Sequence, residues 1–171
     1  EQLTYGPSMV DVIHQVLPEL PENIHVIGPR EKVNSYDIVE IAAMGLAYTT
    51  TIGMEMAMNG LPVIVAGQVH YRNRGFTFDP VTWGEYFLTL GQILQNPSTH
   101  RLTRQQVELA WMYAYRFYFE FPRPYPWHMD RLWSDYDRLP MNWILNPEGR
   151  RCYESTFRYL AGEPLDWASI E

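Results

Sequence analysis

The apolar residues between positions 35 and 43 recur at helical spacing, since Ile38, Ile41 and Ala42 share one side of a helix. Gly45 follows, and a glycine in that position is typical of a helix C-terminus. A second helix is predicted over residues 54–59, where small side chains and methionines suit close packing. Gly60 is expected to end this second helix.

Extended segments are predicted before, between and after these helices. Residues 23–28 predict a first strand, and residues 46–50 predict a short buried strand because they are rich in β-forming side chains. Residues 61–67 are almost wholly apolar, as in an interior strand of a parallel sheet covered on both faces. Strands that alternate with helices predict an α/β fold with a Rossmann-like parallel sheet.

The pattern becomes helical at both ends of this region. A helical stripe over residues 9–17 precedes it, and an amphipathic helix is predicted over residues 83–94. Residues 104–121 predict a long helix dense in aromatic side chains, which we interpret mainly as core or domain-interface packing. Tyr125 and Trp127, within a proline-rich break, offer a second interpretation as sugar-stacking side chains.

This change of pattern divides the chain into two predicted parts. Residues 1–100 are predicted to form the Rossmann-like domain, N-terminally truncated because a doubly wound domain normally has further strands upstream of Ile24. Residues 101–171 are predicted to form a mostly helical, aromatic-rich extension that packs on it, with further helices over residues 130–139 and 149–160.

Composition excludes several classes of function. The chain has 171 residues, 46% of them hydrophobic, and a net charge of -7, which argues against a nucleic-acid partner. Its one cysteine, Cys152, excludes an intrachain disulfide and favours a reducing, cytoplasmic location. No apolar run approaches the roughly 20 residues of a transmembrane helix, so no transmembrane segment is expected.

The polar turn over residues 49–53 is the candidate ligand site. Ligands of parallel sheets bind outside the carboxyl ends of the strands, where helix N-termini favour anions. The hydroxyls of Thr50 and Thr51 can hold a phosphate, and Gly53 would let the backbone approach it closely. Glu55 can accept hydrogen bonds from ribose hydroxyls. Alternatively, the threonines cap the helix and Glu55 complements its dipole.

Four segments carry a family resemblance: NSYD at residues 34–37, TTTIGME at 49–55, GLPVIVAG at 60–67 and HYRNRGFT at 70–77. Together they resemble bacterial capsule-polysaccharide biosynthesis glycosyltransferases of the GT-B type, over roughly residues 23–95. A small polar turn, an acid and then G-x-P-V-I also recur in related sugar-nucleotide epimerases. The resemblance is therefore more specific for the fold than for the donor.

The resemblance implies a nucleotide-sugar donor site. Glu55 matches the acid that binds the donor ribose, and Thr50, Thr51 and Gly53 match the phosphate-side turn. Further donor contacts are implied at the start of the preceding helix and in the basic loop after the strand predicted over residues 61–67. These are Ser35, Tyr36, His70, Tyr71 and Arg72.

The implied reaction moves a sugar from a nucleotide-sugar donor to an acceptor glycan of a bacterial capsule or surface polysaccharide. No metal and no cofactor is expected, since the nucleotide-sugar is the substrate. The catalytic base usually comes from the other domain of this architecture, so an N-terminal domain outside this chain is expected as a partner. The isolated chain is then expected to be inactive, in the cytoplasm or at the inner face of the membrane.

Two other functions stay open at this point. An epimerase-like domain would use the same half-fold, and a non-catalytic α/β module would dock a protein through the aromatic C-terminal helices. The direction of the Glu55 carboxylate discriminates among them. A carboxylate facing a cleft beside the polar turn favours the donor site, whereas one folded back onto its own helix favours a binding module.

Overall fold

A small parallel sheet organises the N-terminal part of the chain in the computed structural model, which describes residues 7–164. Strand β1 spans Gly45–Ala47 and strand β2 spans Val63–Val65. They pair in parallel, with Leu46 opposite Ile64. Phe78 forms a parallel bridge with Ile64 on the other side of β2. Three extended segments therefore run side by side.

Helices make up most of the remaining regular structure. The α-helices of residues 7–164 are α1 (Met9–Val16), α2 (Ser35–Ile41), α3 (Ile52–Met58), α4 (Trp83–Gln95), α5 (Arg104–Tyr115), α6 (Leu132–Arg138), α7 (Met141–Ile144) and α8 (Pro147–Leu160). A π-helical segment over Arg116–Glu120 continues α5, and 3₁₀ turns lie at Pro97–His100 and Met129–Arg131.

Local side-chain chemistry sets several helix boundaries. The Thr82 hydroxyl accepts a hydrogen bond from the Glu85 amide and begins α4, and Thr103 caps α5 in the same way. Gly60 has a φ of 76° and ends α3, as predicted, since glycine adopts this left-handed conformation without a β-carbon clash. Gly162, with a φ of 97°, follows α8.

Two parallel strands separated by a helix confirm a mixed α/β fold, whereas the complete Rossmann-like sheet stays a prediction. The strand predicted over residues 23–28 is wrong, because this segment is irregular and mostly exposed. A strand needs a paired neighbour and a face to bury, and the pattern of apolar residues alone supplies neither. One face of β1 is open to solvent, since Leu46 is 56% exposed.

Two other sequence expectations differ from the structure. Gly45 does not end the preceding helix; α2 ends at Ile41, and Gly45 begins β1 by donating its amide to the Pro62 carbonyl at 2.9 Å. The long aromatic helix is interrupted, because Phe121 donates its amide to the carbonyl of Arg116, five residues earlier, at 2.7 Å. This π-type bond shifts the helix face after residue 115.

A hydrophobic core joins the sheet, α3 and α5. Met54 and Ala57 of α3 and Ala110 and Ala114 of α5 belong to the same buried cluster as the strand residues. Small alanines on facing helices let the two backbones approach closely, because the distance between packed helices depends on the side chains at their contact. The core thus extends across residue 100, where the sequence predicted a boundary between two parts.

The residues after the π-helical segment form a separate packing group. The Trp127 indole donates to the Leu139 carbonyl at 2.9 Å. Asp135 is buried, and it accepts hydrogen bonds from the His128 amide at 3.0 Å and from Arg138 at 3.2 Å. Within residues 7–164, no helix combines the length and the apolar character that a bilayer crossing requires.

Candidate functional site

The carboxyl ends of β1 and β2 bring two polar loops to one edge of the sheet. The Ala66 amide donates to the Ala47 carbonyl at 2.9 Å and extends the pairing beyond the strands. Gly67 then packs against Tyr48, whose carbonyl carbon would lie 2.8 Å from a β-carbon on Gly67. The turn over residues 49–53 and the loop over residues 67–72 therefore lie together, as the parallel topology predicts.

Tyr71 lies in the core and holds the polar turn in place through a hydrogen bond. Its side chain is fully buried, and its hydroxyl donates to the Thr50 carbonyl at 2.6 Å. Burial, with a smaller contribution from the charge of Asp79, raises the pKa of Tyr71 to about 12. The structure thus gives Tyr71 a packing role, and the ligand contact that the resemblance implied stays a prediction.

Gly53 is also explained by packing. A β-carbon at this position would overlap the Tyr71 hydroxyl and lie 2.9 Å from the Ala47 side chain. Glycine is therefore required where α3 crosses the sheet, independently of any ligand. A larger residue at position 53 would disturb the core, so a loss of ligand binding in such a variant would not show that Gly53 contacts the ligand.

The two threonines of the turn differ in their surroundings. The Thr50 hydroxyl accepts a hydrogen bond from the Ile52 amide at 3.3 Å and so stabilises the start of α3. Thr51 occupies the N-cap position, but among the described residues its side chain makes no capping hydrogen bond. The exposed Thr51 hydroxyl is therefore available to a ligand that binds at the turn.

Glu55 and Tyr36 meet beside this turn. Hydrogen bonding to the Glu55 carboxylate, followed by that group's negative charge, raises the pKa of the Tyr36 phenol above its ordinary value. The Glu55 Oε2 atom is nevertheless buried and has no hydrogen-bond partner within residues 7–164. Tyr36 thus lies beside the carboxylate, but the phenol does not hydrogen-bond to Oε2. Within residues 7–164, Oε2 therefore makes no hydrogen bond that would fold the carboxylate back onto α3.

This contact predicts a titration difference. We expect Tyr36 to ionise at higher pH than an ordinary exposed tyrosine, and Glu55→Gln to return its pKa toward about 10, since the amide carries no charge. NMR titration of isotope-labelled tyrosine measures both values. Glu148→Gln, which removes an exposed first-turn acid from α8, is the control. An unchanged Tyr36 pKa in Glu55→Gln would show that the two groups do not meet in solution.

Arg72 turns inward at the carboxyl end of β2. Its guanidinium donates to the carbonyls of Val65 at 3.1 Å, Gly67 at 2.9 Å and Pro80. Within residues 7–164 no carboxylate lies within 4.0 Å of it to form an ion pair. Arg72 therefore holds the loop in place and leaves a positive charge at the edge of the sheet.

His70 is held in one tautomer by Tyr113. The Tyr113 hydroxyl donates its single hydrogen to the His70 carbonyl at 2.7 Å, so its contact with Nδ1 at 3.1 Å requires Nδ1–H to be the donor. Phe117 stacks on the imidazole with ring centres 3.9 Å apart. This partial burial lowers the pKa of His70. Neutral His70 therefore offers Nε2 as a hydrogen-bond or proton acceptor.

Ser35 is the least engaged of the predicted residues. It lies in the first turn of α2, where the Asn34 side chain caps the helix by accepting from the Tyr36 amide at 3.1 Å. Ser35 is exposed, and no side-chain hydrogen bond involves it within the described part of the chain.

The sequence did not identify three aromatic neighbours of this edge. Tyr113 and Phe117 hold His70, and the charge of Tyr118 makes a small contribution to the raised pKa of Tyr36. All three come from α5 and its π-helical continuation. The aromatic density of residues 104–121 was the available signal, but its periodicity did not show which rings would face the site.

No His, Cys, Asp or Glu residues of the described segment cluster in threes as a metal ion would require. A scan of protein-family models, a search of curated proteins and a search of solved structures each returned no match to the chain.

Proposed function

We propose that this chain is the donor-binding domain of a glycosyltransferase that builds a bacterial capsule or surface polysaccharide. The donor would be a nucleotide-sugar, and it would lie across the carboxyl edge of β1 and β2. Three features support this placement: the polar turn after β1, the charge of Arg72 after β2, and the acid Glu55 between them. Edges of this kind are where ligands of α/β sheets bind.

The observation that carries the proposal is the unpartnered oxygen of Glu55. Buried polar atoms in folded proteins nearly always have a hydrogen-bond partner, and an unpaired carboxylate oxygen is costly. Among the described residues, Oε2 of Glu55 is such an atom. A ribose hydroxyl would supply the missing donor, and Tyr36 beside it would border the sugar or the base.

Charge at the same edge supports an anionic ligand. Arg72 contributes a guanidinium at the end of β2, and the Nε2 atom of neutral His70 can accept a hydrogen bond from a sugar hydroxyl. Backbone amides at the start of α3 add partial positive charge. Together these groups would stabilise the nucleotide phosphate that leaves when the sugar is transferred.

The acceptor glycan and the base that deprotonates it are assigned to a further domain. In this proposal the chain binds and orients the donor, and the sugar–phosphate bond breaks only when that domain supplies the acceptor hydroxyl. The isolated chain would then bind a nucleotide without turning over its sugar. The nucleotide would bind without a metal.

Calorimetric titration with UDP, CMP and GDP tests the proposal. We expect one nucleotide to bind, and Glu55→Ala to weaken its binding by roughly tenfold or more, because hydrogen bonds to a charged group are lost. The fold should stay intact, since a first-turn acid contributes only about 0.3–1 kcal/mol to stability. Glu148→Ala removes an exposed acid from the first turn of α8 and should leave nucleotide binding unchanged.

Two results would contradict the donor site. Equal affinity of wild type and Glu55→Ala would remove Glu55 from it, and no binding of any nucleotide would favour the non-catalytic module. That second function is supported by exposed rings at the end of α5 and beyond it, of which Phe119 is 74% exposed and Tyr115 is 58% exposed. Exposed apolar surface of this kind is typical of protein contacts.

A further inference from the structure

A cavity lies away from the sheet, between the chain that follows the π-helical segment and helix α8. Its volume is about 420 Å³, within the range of small-molecule sites. Six of its lining residues are Phe121, Arg123, Tyr125, Thr156, Tyr159 and Leu160. None of them belongs to the candidate donor site, so a ligand of this cavity is independent of the proposed function.

Two unsatisfied polar atoms belong to residues that line this cavity. Arg123 Nε and Thr156 Oγ1 are both buried, and neither has a hydrogen-bond partner within residues 7–164. Thr156 is only 5% exposed. The Arg123 guanidinium is fixed at its other end, where Nη2 donates to Ser155 at 3.2 Å. Two unpaired polar atoms in residues that line one cavity point to a ligand site, since such atoms are rare.

The charge of Arg123 specifies the sign of that ligand. In the described part of the chain no carboxylate lies within 4.0 Å of Arg123. A partly buried guanidinium without a counter-ion is costly, and an anion in the cavity would relieve that cost. Arg123 Nε and the Thr156 hydroxyl are each one donor, which matches the two oxygens of a carboxylate.

The other residues that line the cavity are mainly apolar, and they indicate what the uncharged part of the ligand is like. Phe121, Tyr125 and Tyr159 present rings, and Leu160 adds an apolar side chain. Tyr125 is held by ring contacts with Trp127 and Phe157, each with centroids 5.9 Å apart. Rings held in this way offer rigid apolar area to a flat ligand.

We propose that this cavity binds a monocarboxylate with an apolar, ring-containing body. The carboxylate accepts hydrogen bonds from Arg123 Nε–H and from the Thr156 hydroxyl, and the ring packs against the aromatic wall. An uncharged ring lacks the anion that Arg123 requires, and a hydroxylated sugar acid would leave its hydroxyls against apolar side chains.

Four probes separate these requirements by calorimetric titration of the full chain. Phenylacetate has both the ring and the charge, phenethyl alcohol has the ring alone, acetate has the charge alone, and glucuronate places the charge on a hydroxylated ring. We expect phenylacetate to bind at least tenfold more tightly than each of the others, because only phenylacetate satisfies both parts of the cavity.

Matched variants locate the binding. Arg123→Gln should weaken phenylacetate binding by roughly tenfold or more, and Thr156→Val, which keeps the side-chain shape, should weaken it severalfold. Thr156→Val should also leave the unliganded protein at least as stable, because it removes an unpaired buried hydroxyl. Arg151→Gln, an exposed residue of the same helix outside the cavity lining, should leave binding unchanged.

Several results would overturn this assignment. They are an absence of phenylacetate binding, equal or tighter binding of phenethyl alcohol or glucuronate, and unchanged phenylacetate affinity in folded Arg123→Gln. Circular dichroism checks the fold of each variant. If Arg123→Gln does not fold, the phenylacetate affinity of Thr156→Val and the comparison of the four probes test the proposal in its place.

Discussion

Gly67→Ala is expected to destabilise the protein by about 3 kcal/mol, near the upper end of what overpacking costs. A β-carbon at Gly67 would overlap the Tyr48 carbonyl oxygen and lie 2.8 Å from its carbon. These are backbone atoms at the end of β1, so no side-chain rotation relieves the clash. The two loops of the candidate site would have to separate.

Urea denaturation followed by circular dichroism measures this loss, and Gly91→Ala is the control with the opposite sign. Gly91 lies inside α4, and a β-carbon there would meet no atom of the described residues within 4 Å. Alanine should stabilise that helix by about 1 kcal/mol, since it has the higher helix propensity. Equal stability of the wild type and Gly67→Ala would mean that the two loops are not in contact.

Arg72→Met is expected to lower the free energy of unfolding by about 3 kcal/mol, because hydrogen bonds from a charged group to buried carbonyls are among the strongest. Methionine retains much of the apolar stem of arginine but cannot donate to the carbonyls of Val65, Gly67 and Pro80. The loop over residues 67–80 should then loosen from the end of β2. Faster amide hydrogen exchange in that loop, together with a lower Tm, is the expected result.

Arg74→Met is the matched control for this loss. Arg74 is exposed and lies over the Tyr113 ring at 5.8 Å, a contact worth only about 0.5–1 kcal/mol at an exposed position. We expect a correspondingly small change in its unfolding free energy. If Arg72→Met and Arg74→Met were equally stable, the inward hydrogen bonds of Arg72 would not hold the loop. Arg72 would then have a role only in ligand binding.

Sequence and structure agree most closely where a few neighbouring residues decide the outcome. The start of α4 at Trp83 follows from Thr82 and Glu85, which satisfy each other's backbone amides. The end of α3 at Gly60 follows from a left-handed φ that glycine tolerates. The buried parallel strand β2 follows from the apolar run over residues 61–67, although only Val63–Val65 form the strand.

The disagreements concern interactions between distant segments. The alternation over residues 23–28 resembled a strand, but a strand also needs a partner edge, and none within residues 7–164 pairs with it. The family resemblance implied Tyr71 as a donor contact and the polar turn suggested Gly53, yet the two residues pack against each other in the core. No spacing rule brings together two residues that are 18 positions apart.

The sequence by itself determined the start of α4, the end of α3 at Gly60, the parallel order of the two strands and the loops at their carboxyl ends. These depend on local hydrogen bonds and on the period of apolar residues. Only the tertiary structure decided that Arg72 turns inward, that Oε2 of Glu55 lacks a partner among the described residues, and that Arg123 and Thr156 line one cavity. Burial and hydrogen-bond satisfaction are properties of the packed chain, because each depends on atoms supplied by several distant segments.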